Sequence, residues 1–283
     1  MRVLKEFKIS KVKLNNRICI APMCQYSAIN GNPSKWHYSH LGKLMKLGAG
    51  LMIIESTAVS KNGRISKNDL TLENRKNFTE FKKLTHFLRK ISSTKIGIQL
   101  AHSGRNGSKT VPWIKSNTPL KKKGWQTIAP SRIKRDKHWP FPKEMTKKDI
   151  KSVRENFISA ANYSKKIGFD CLEIHMAHGY LLHQFFSPIS NLRKDEFGGS
   201  LKNRCRFLIE IAKDIRKVWP KNKILGARIT GYDWMDKKGS SVSDSVYLTK
   251  ELKKIGFNYV CVSSGGIIPK TKIKKGKKDT RSF

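Results

Sequence analysis

Two imidazoles three residues apart, His175 and His178, with Gly179-Tyr180 directly after them, are the part of this chain best suited to chemistry. They close the apolar run Phe169-Asp-Cys-Leu-Glu-Ile-His175, which is entered through Gly168 and reads as a buried strand with a helix beginning beyond it. In a parallel α/β fold the carboxyl ends of strands are where ligands bind. Neutral imidazole donates hydrogen bonds to a carbonyl oxygen or a phenolate, and a tyrosine beside it can deliver a proton. The competing reading is a pair of structural histidines with satisfied hydrogen bonds. A zinc site is disfavoured, because no Cys or Glu stands at ligand spacing nearby.

Other predicted strand ends carry polar or reactive groups too. The first ends in Ala21-Pro22-Met23-Cys24-Gln25-Tyr26, the second in Glu55-Ser56-Thr57-Ala58, and the third reaches Gln99, His102 and Arg105. The fifth supplies Arg228. Together these groups suit a large planar ligand with many ring heteroatoms. Gln99 matches a donor–acceptor edge, and Arg228 stabilises electron density on a reduced ring. Singly, each has a plainer role: Cys24 as a small buried hydrophobe, Gln99 as a loop cap, Arg228 as an ion-pair partner.

The elements that must position these residues alternate. Strands are predicted at 17–23, 51–57, 96–102, 171–175, 224–230 and 259–263, with helices at 38–47, 78–91, 150–167, around 203–218 and at 243–255. Thr146-Lys-Lys-Asp149 opens the third helix, with Thr146 as its N-cap. The excursion 103–142 has no clear period, and its length marks it as a functional loop or lid. Alternation in this order implies a parallel sheet, and without a Gly-rich Rossmann fingerprint a barrel is favoured over an open sheet. A TIM (β/α)8 barrel needs eight units in about 250 residues. Six are readable here, so the expected fold is an incomplete α/β TIM barrel over residues 1–268, followed by a basic, disordered tail at 269–283.

Composition narrows the class. The chain has 283 residues, 38% of them hydrophobic, and no apolar run of the roughly 20 residues that span a bilayer. The N-terminus lacks the apolar core of a signal peptide. Five scattered cysteines without a C-x-x-C pair point to a reducing, cytoplasmic setting and to neither a disulfide framework nor a cluster. The net charge of +39 would attract polyanions. Its lysines are spread over helices and loops with no aromatic-interleaved patch, which argues against a specific nucleic-acid partner.

Taken together, the motifs resemble the Old Yellow Enzyme family of FMN-dependent ene reductases, and within it the bacterial NADPH dehydrogenases that carry a cysteine after the first strand. The matching segments are Asn16-Arg17 through Ala21-Pro-Met-Cys24-Gln-Tyr26-Ser, Glu55-Ser-Thr-Ala58 and Ile98-Gln99-Leu-Ala-His102-Ser-Gly104-Arg105. Further on come Glu173-Ile-His175-Met-Ala-His178-Gly-Tyr180-Leu, Ser187-Pro188-Ile-Ser-Asn191 and Asp195-Glu-Phe-Gly-Gly199 through Asn203-Arg204-Cys-Arg206-Phe. The likeness runs from about residue 4 to residue 268.

The resemblance implies roles. Ala21, Pro22, Met23 and Cys24 would line the flavin, with Cys24 tuning its redox behaviour. Ala58 and Gln99 would hold the pyrimidine edge, and Arg228 would stabilise the reduced ring. His175 and His178 would grip the substrate carbonyl oxygen, Tyr180 would give the proton, and Tyr26 would line the substrate pocket. FMN is then the cofactor, NADPH the reductant, an enone the small-molecule substrate, and no metal, membrane or specific nucleic acid is involved; a homo-oligomer is compatible. The FMN phosphate would be held after strands seven and eight, for which no segment is readable. Two alternatives stand beside this reading. One is a degenerate, truncated remnant with little or no flavin binding or activity. The other is the larger flavoprotein group with an added iron–sulfur cluster, such as the dienoyl-CoA reductases.

Overall fold

The computed structural model describes residues 1–114, 118–235 and 238–269. It opens with a hairpin, β1 (Phe7–Ile9) antiparallel to β2 (Val12–Leu14), turned through Ser10 at φ 55°. Alternation puts Phe7, Ile9, Val12 and Leu14 on one face, where they pack with Leu51, Ile53, Cys171 and Ile224 from the amino ends of the central strands. The hairpin closes the floor of the sheet.

The chain continues through β3 (Cys19–Ile20), α1 (Lys35–Met45), β4 (Leu51–Ala58), α2 (Arg75–Ile91), β5 (Lys95–Ala101), β6 (Ile128–Ala129) and β7 (Lys143–Glu144). Then come α3 (Lys147–Ile167), β8 (Cys171–Met176), α4 (Leu181–Phe186), α5 (Leu201–Val218), β9 (Ile224–Thr230), α6 (Val242–Ile255) and β10 (Tyr259–Ser263). Six strands form one all-parallel sheet in the order β10-β9-β8-β5-β4-β3. The described residues thus form an incomplete α/β barrel of the TIM type.

The strand period of two divides each strand between two environments. Ile96, Ile98 and Leu100, with Leu172, Ile174 and Met176 and with Leu225, Ala227 and Ile229, bury into the core beneath the helices. The alternate residues face inward and carry the polar groups. Register places Gln99 beside Glu173, His175 beside Arg228, and Arg228 beside Cys261. Helix ends follow local rules: Thr146 and Asp149 form a reciprocal capping box on α3, and Gly168 ends that helix at φ 98°.

Three expectations change. The first strand is a two-residue edge, Cys19–Ile20, rather than 17–23, because Pro22 has no N–H to give the ladder. The hairpin at 7–14 was not anticipated, although its alternation is plain in the sequence. The 103–142 excursion is in part ordered, since β6 pairs β7 in parallel and Arg105 donates to the carbonyls of Ile133, Lys134 and Ile267. Arg105 is a strap between loops and does not join the inward cluster. The tail from residue 270 lies outside the described residues.

Candidate functional site

β8 delivers the two imidazoles. His175 is its last inward side chain, only 4% exposed, and its Nδ1 accepts the Ala177 N–H at 3.2 Å. That bond leaves Nε2 as the donor that can face a ligand. The chain then turns through His178 at φ 58° and Gly179 at φ 71°, two successive left-handed residues. The turn brings the rings of His175 and His178 edge to face at 5.1 Å, and those of His175 and Tyr180 at 4.9 Å. His178 Nε2 also stands 2.6 Å from Ser263 Oγ at the end of β10.

Burial, then the nearby positive charge of Arg228, holds His178 down to about 4, and burial with the neighbouring His178 depresses His175 well below the usual imidazole range. Both rings are neutral at physiological pH. Each can give an N–H to an oxygen without surrendering a proton. Tyr180 is shifted the opposite way: burial, with Cys24, Tyr26 and Asp69 nearby, pushes its hydroxyl well above the usual range, so it keeps its proton.

The facing wall is the loop after β3. Glu55 Oε2 accepts the Gln25 N–H at 2.8 Å, while Glu55 Oε1 lies 3.1 Å from buried His37. Trp36 and Met23 hold the Gln25 side chain in turn. Tyr26 turns back at φ 49° and stacks edge-on against Trp113 at 5.9 Å. Burial, with Asp69 and Glu55 nearby, pushes the Cys24 thiol well above its ordinary value. Cys24 is a thiol, not a thiolate. Ala21 and Met23 are exposed and Pro22 partly so, giving this wall an open apolar lip.

Between the walls, Gln99 gives its amide N–H to Glu173 Oε1 at 2.7 Å, and the Tyr259 hydroxyl donates to Glu173 Oε2 at 2.9 Å. Ala58 is buried at the end of β4, its N–H given to the Leu70 carbonyl and its own carbonyl accepting from Leu72. Arg228 reaches inward beside His175, and its buried Nε has no hydrogen-bond partner among the described residues.

A family model for NADH:flavin oxidoreductases and NADH oxidases matches residues 3–282. The chain belongs to that family. It is 40% identical to an NADH:flavin oxidoreductase of Gibberella zeae, over 96% of this chain and 69% of the relative. It is 39% identical to an NADPH dehydrogenase of Clostridium acetobutylicum, over 95% of this chain and 75% of the relative. Among solved structures, morphinone reductase superposes with a TM-score of 0.80 at 23% identity, over 92% of this chain and 71% of that one. An Old Yellow Enzyme from Pichia superposes equally well at 24% identity, over 92% and 70% of the two chains. The protein is therefore an FMN oxidoreductase with a nicotinamide nucleotide as reductant, on the fold that morphinone reductase and the Pichia enzyme share.

The residues present fit FMN. An orphaned, buried guanidinium nitrogen on Arg228 is the donor that a negatively polarised ring edge needs, and Arg228 stands directly opposite His175 in the register. Gln99 has an amide oxygen and a second N–H left beyond its bond to Glu173. The Ala21–Cys24 lip supplies an apolar face. Gln99, His175 and Arg228 share the inward face of adjacent strands, with Gln99 one pleat below His175. Four further residues, Glu173, Asp69, His183 and Asp233, support the site without a role marked by any sequence motif. Glu173 was findable, because it shares the strand period of His175. The others lie in loops and a short helix, where period carries no signal.

Proposed function

We propose that this chain is an ene reductase that reduces α,β-unsaturated carbonyl compounds, with NADPH as the source of electrons. The observation that carries the proposal is the pair of neutral imidazoles, His175 and His178, with protonated Tyr180 at 4.9 Å from His175. Bound FMN would supply hydride chemistry at this site, with NADPH as the reductant. Ala21, Pro22, Met23 and Cys24 would line its ring, Ala58 and Gln99 its pyrimidine edge, and Arg228 the electron-rich side.

His175 and His178 give N–H donors to the carbonyl oxygen of the substrate. Their hydrogen bonds strengthen as that oxygen gains negative charge, so they favour the transition state over the ground state. Because burial keeps both rings neutral, the oxygen is stabilised without being protonated. Tyr180 holds a proton at its hydroxyl, next to the pair, and gives it to the alkene carbon that hydride does not reach. Tyr26, its ring edge-on to Trp113, would give the substrate an apolar side. The five free thiols support a reducing, cytoplasmic location. Residues 1–268 would form one flavin-binding unit.

The test is spectroscopic. The purified chain, incubated with FMN and desalted, should keep flavin absorbance that NADPH bleaches under anaerobic conditions. A colourless protein would favour the alternative, a chain with little or no flavin binding.

A further inference from the structure

Beneath the His178–Gly179–Tyr180 turn lies a buried pair that the reaction does not use directly. His183 on α4 and Asp233 after β9 are both completely buried, with His183 Nε2 2.8 Å from Asp233 Oδ1. The other oxygen of Asp233 accepts three bonds: from Ser187 Oγ at 2.7 Å, from the Ser240 N–H at 2.8 Å and from Ser240 Oγ at 2.7 Å. Asp233 is thus fixed from three sides, and it faces Nε2 of His183. That leaves Nδ1 of His183 as the acceptor. It takes the Gly179 N–H at 2.8 Å.

Gly179 is the hinge between the two active side chains. Its N–H goes to His183 and its carbonyl accepts from Gln184 Nε2 at 2.7 Å, so both ends of the residue are gripped by α4. Its neighbour is gripped as well: the His178 N–H goes to Thr230 Oγ1 at 3.1 Å, and that hydroxyl lies 3.3 Å from His183 Nδ1. The turn needs such restraint, because His178 holds a left-handed backbone at φ 58° that residues with a Cβ rarely adopt. A Cβ on Gly179 would fall 2.0 Å from the Gly266 carbonyl oxygen, so the turn has no room to relax on that side.

We propose that His183, oriented by Asp233, is a positioning residue: it clamps Gly179 and so fixes where His178 and Tyr180 present their N–H and O–H to the substrate. This rests on the ene-reductase reading for its consequence, though not for the clamp itself. A displacement of about 1 Å at reacting groups is enough to cost on the order of 100-fold in rate, so a turn free to shift would disable both donors together.

Two substitutions of similar polarity separate the clamp from general stability. His183→Asn keeps an acceptor where Nδ1 stands; His183→Gln moves it toward the Nε2 position and loses the Gly179 bond. Three readouts apply to FMN-loaded protein: amide hydrogen exchange at Gly179, affinity for 4-nitrophenol as a probe of the imidazole pair, and turnover of 2-cyclohexenone. In His183→Gln, exchange at Gly179 should accelerate about 10-fold or more, with 4-nitrophenol affinity and kcat both falling by about 10-fold, whereas His183→Asn stays within about 3-fold of the parent on all three. Equal exchange at Gly179 in the two variants overturns the clamp. Faster exchange in His183→Gln with unchanged phenol binding and turnover overturns its positioning role. A parent protein that neither binds the phenol nor reduces the enone defeats the ene-reductase reading instead, and the exchange comparison still decides the clamp.

Discussion

Two buried aspartates flank the site, and their surroundings differ sharply. Asp233, under the His178–Tyr180 wall, loses water on burial, but His183 and the donors Ser240 and Ser187 outweigh that loss and bring it down to about 2. Asp69, behind the Cys24–Tyr26 wall, is equally buried and accepts from the Ser66 N–H at 2.6 Å, the Ser66 hydroxyl at 3.3 Å and the Ile65 backbone, but it has the carboxylate of Glu55 nearby in place of an imidazole. Burial wins there, and Asp69 is pushed up to about 7. Burial alone does not decide the ionisation of a carboxyl; here the imidazole of His183 beside Asp233, against the carboxylate of Glu55 near Asp69, makes the difference. One wall is held by a fixed charge, the other by a group that titrates near neutrality.

Removing the fixed charge should have the largest effect. Asp233→Ala leaves His183, Ser187 and Ser240 without their partner, and breaking such a buried pair typically costs about 3–5 kcal/mol. Urea unfolding should show this loss; a variant within experimental error of the parent would mean that the pair is not the support of its wall.

The opposite wall should respond to pH. Because its folded value is raised, Asp69 contributes stability that is fully present below about pH 4, the ordinary carboxyl range, and lost as the pH rises through its folded value of about 7. The full span corresponds to a loss on the order of 4 kcal/mol. Asp69→Asn keeps an acceptor for the Ser66 N–H and cannot ionise. Its melting temperature should therefore exceed that of the parent at pH 8, with a clearly smaller gap at pH 5. A difference that is the same at both pH values removes Asp69 as the cause.

The smallest effect is kinetic. With its thiol raised by burial and by Asp69 and Glu55, Cys24 should react with iodoacetamide at neutral pH at least about 10-fold more slowly than a free cysteine. Rapid, selective alkylation at Cys24 would show a thiolate and contradict the description of that wall. Asp69→Asn should leave it slow, since burial is the leading cause.

The sequence made the parallel order and the inward residues legible because both follow from period. In β8, alternating apolar residues pin Leu172, Ile174 and Met176 to the helices, so His175 must face inward. The cap at Thr146 was equally local. The hairpin at 7–14 follows the same rule and was overlooked, while the shortening of the first strand follows from one proline. The supports of the site were not legible. Asp233 meets His183 across fifty residues of chain, and Asp69 meets the Cys24 wall only through the fold. Partner choice of that kind is set by tertiary placement, and neither spacing nor composition encodes it.

The central claim is that His175 and His178 activate a carbonyl at a bound flavin. It is tested most directly by the anaerobic oxidative half-reaction of a His175→Ala, His178→Ala double variant, loaded with FMN and reduced by NADPH. FMN should remain bound and NADPH should still bleach it, while reoxidation by 2-cyclohexenone slows by about 100-fold or more, the usual scale for loss of donors to a developing oxyanion. Reoxidation by the enone at the parent rate would contradict it.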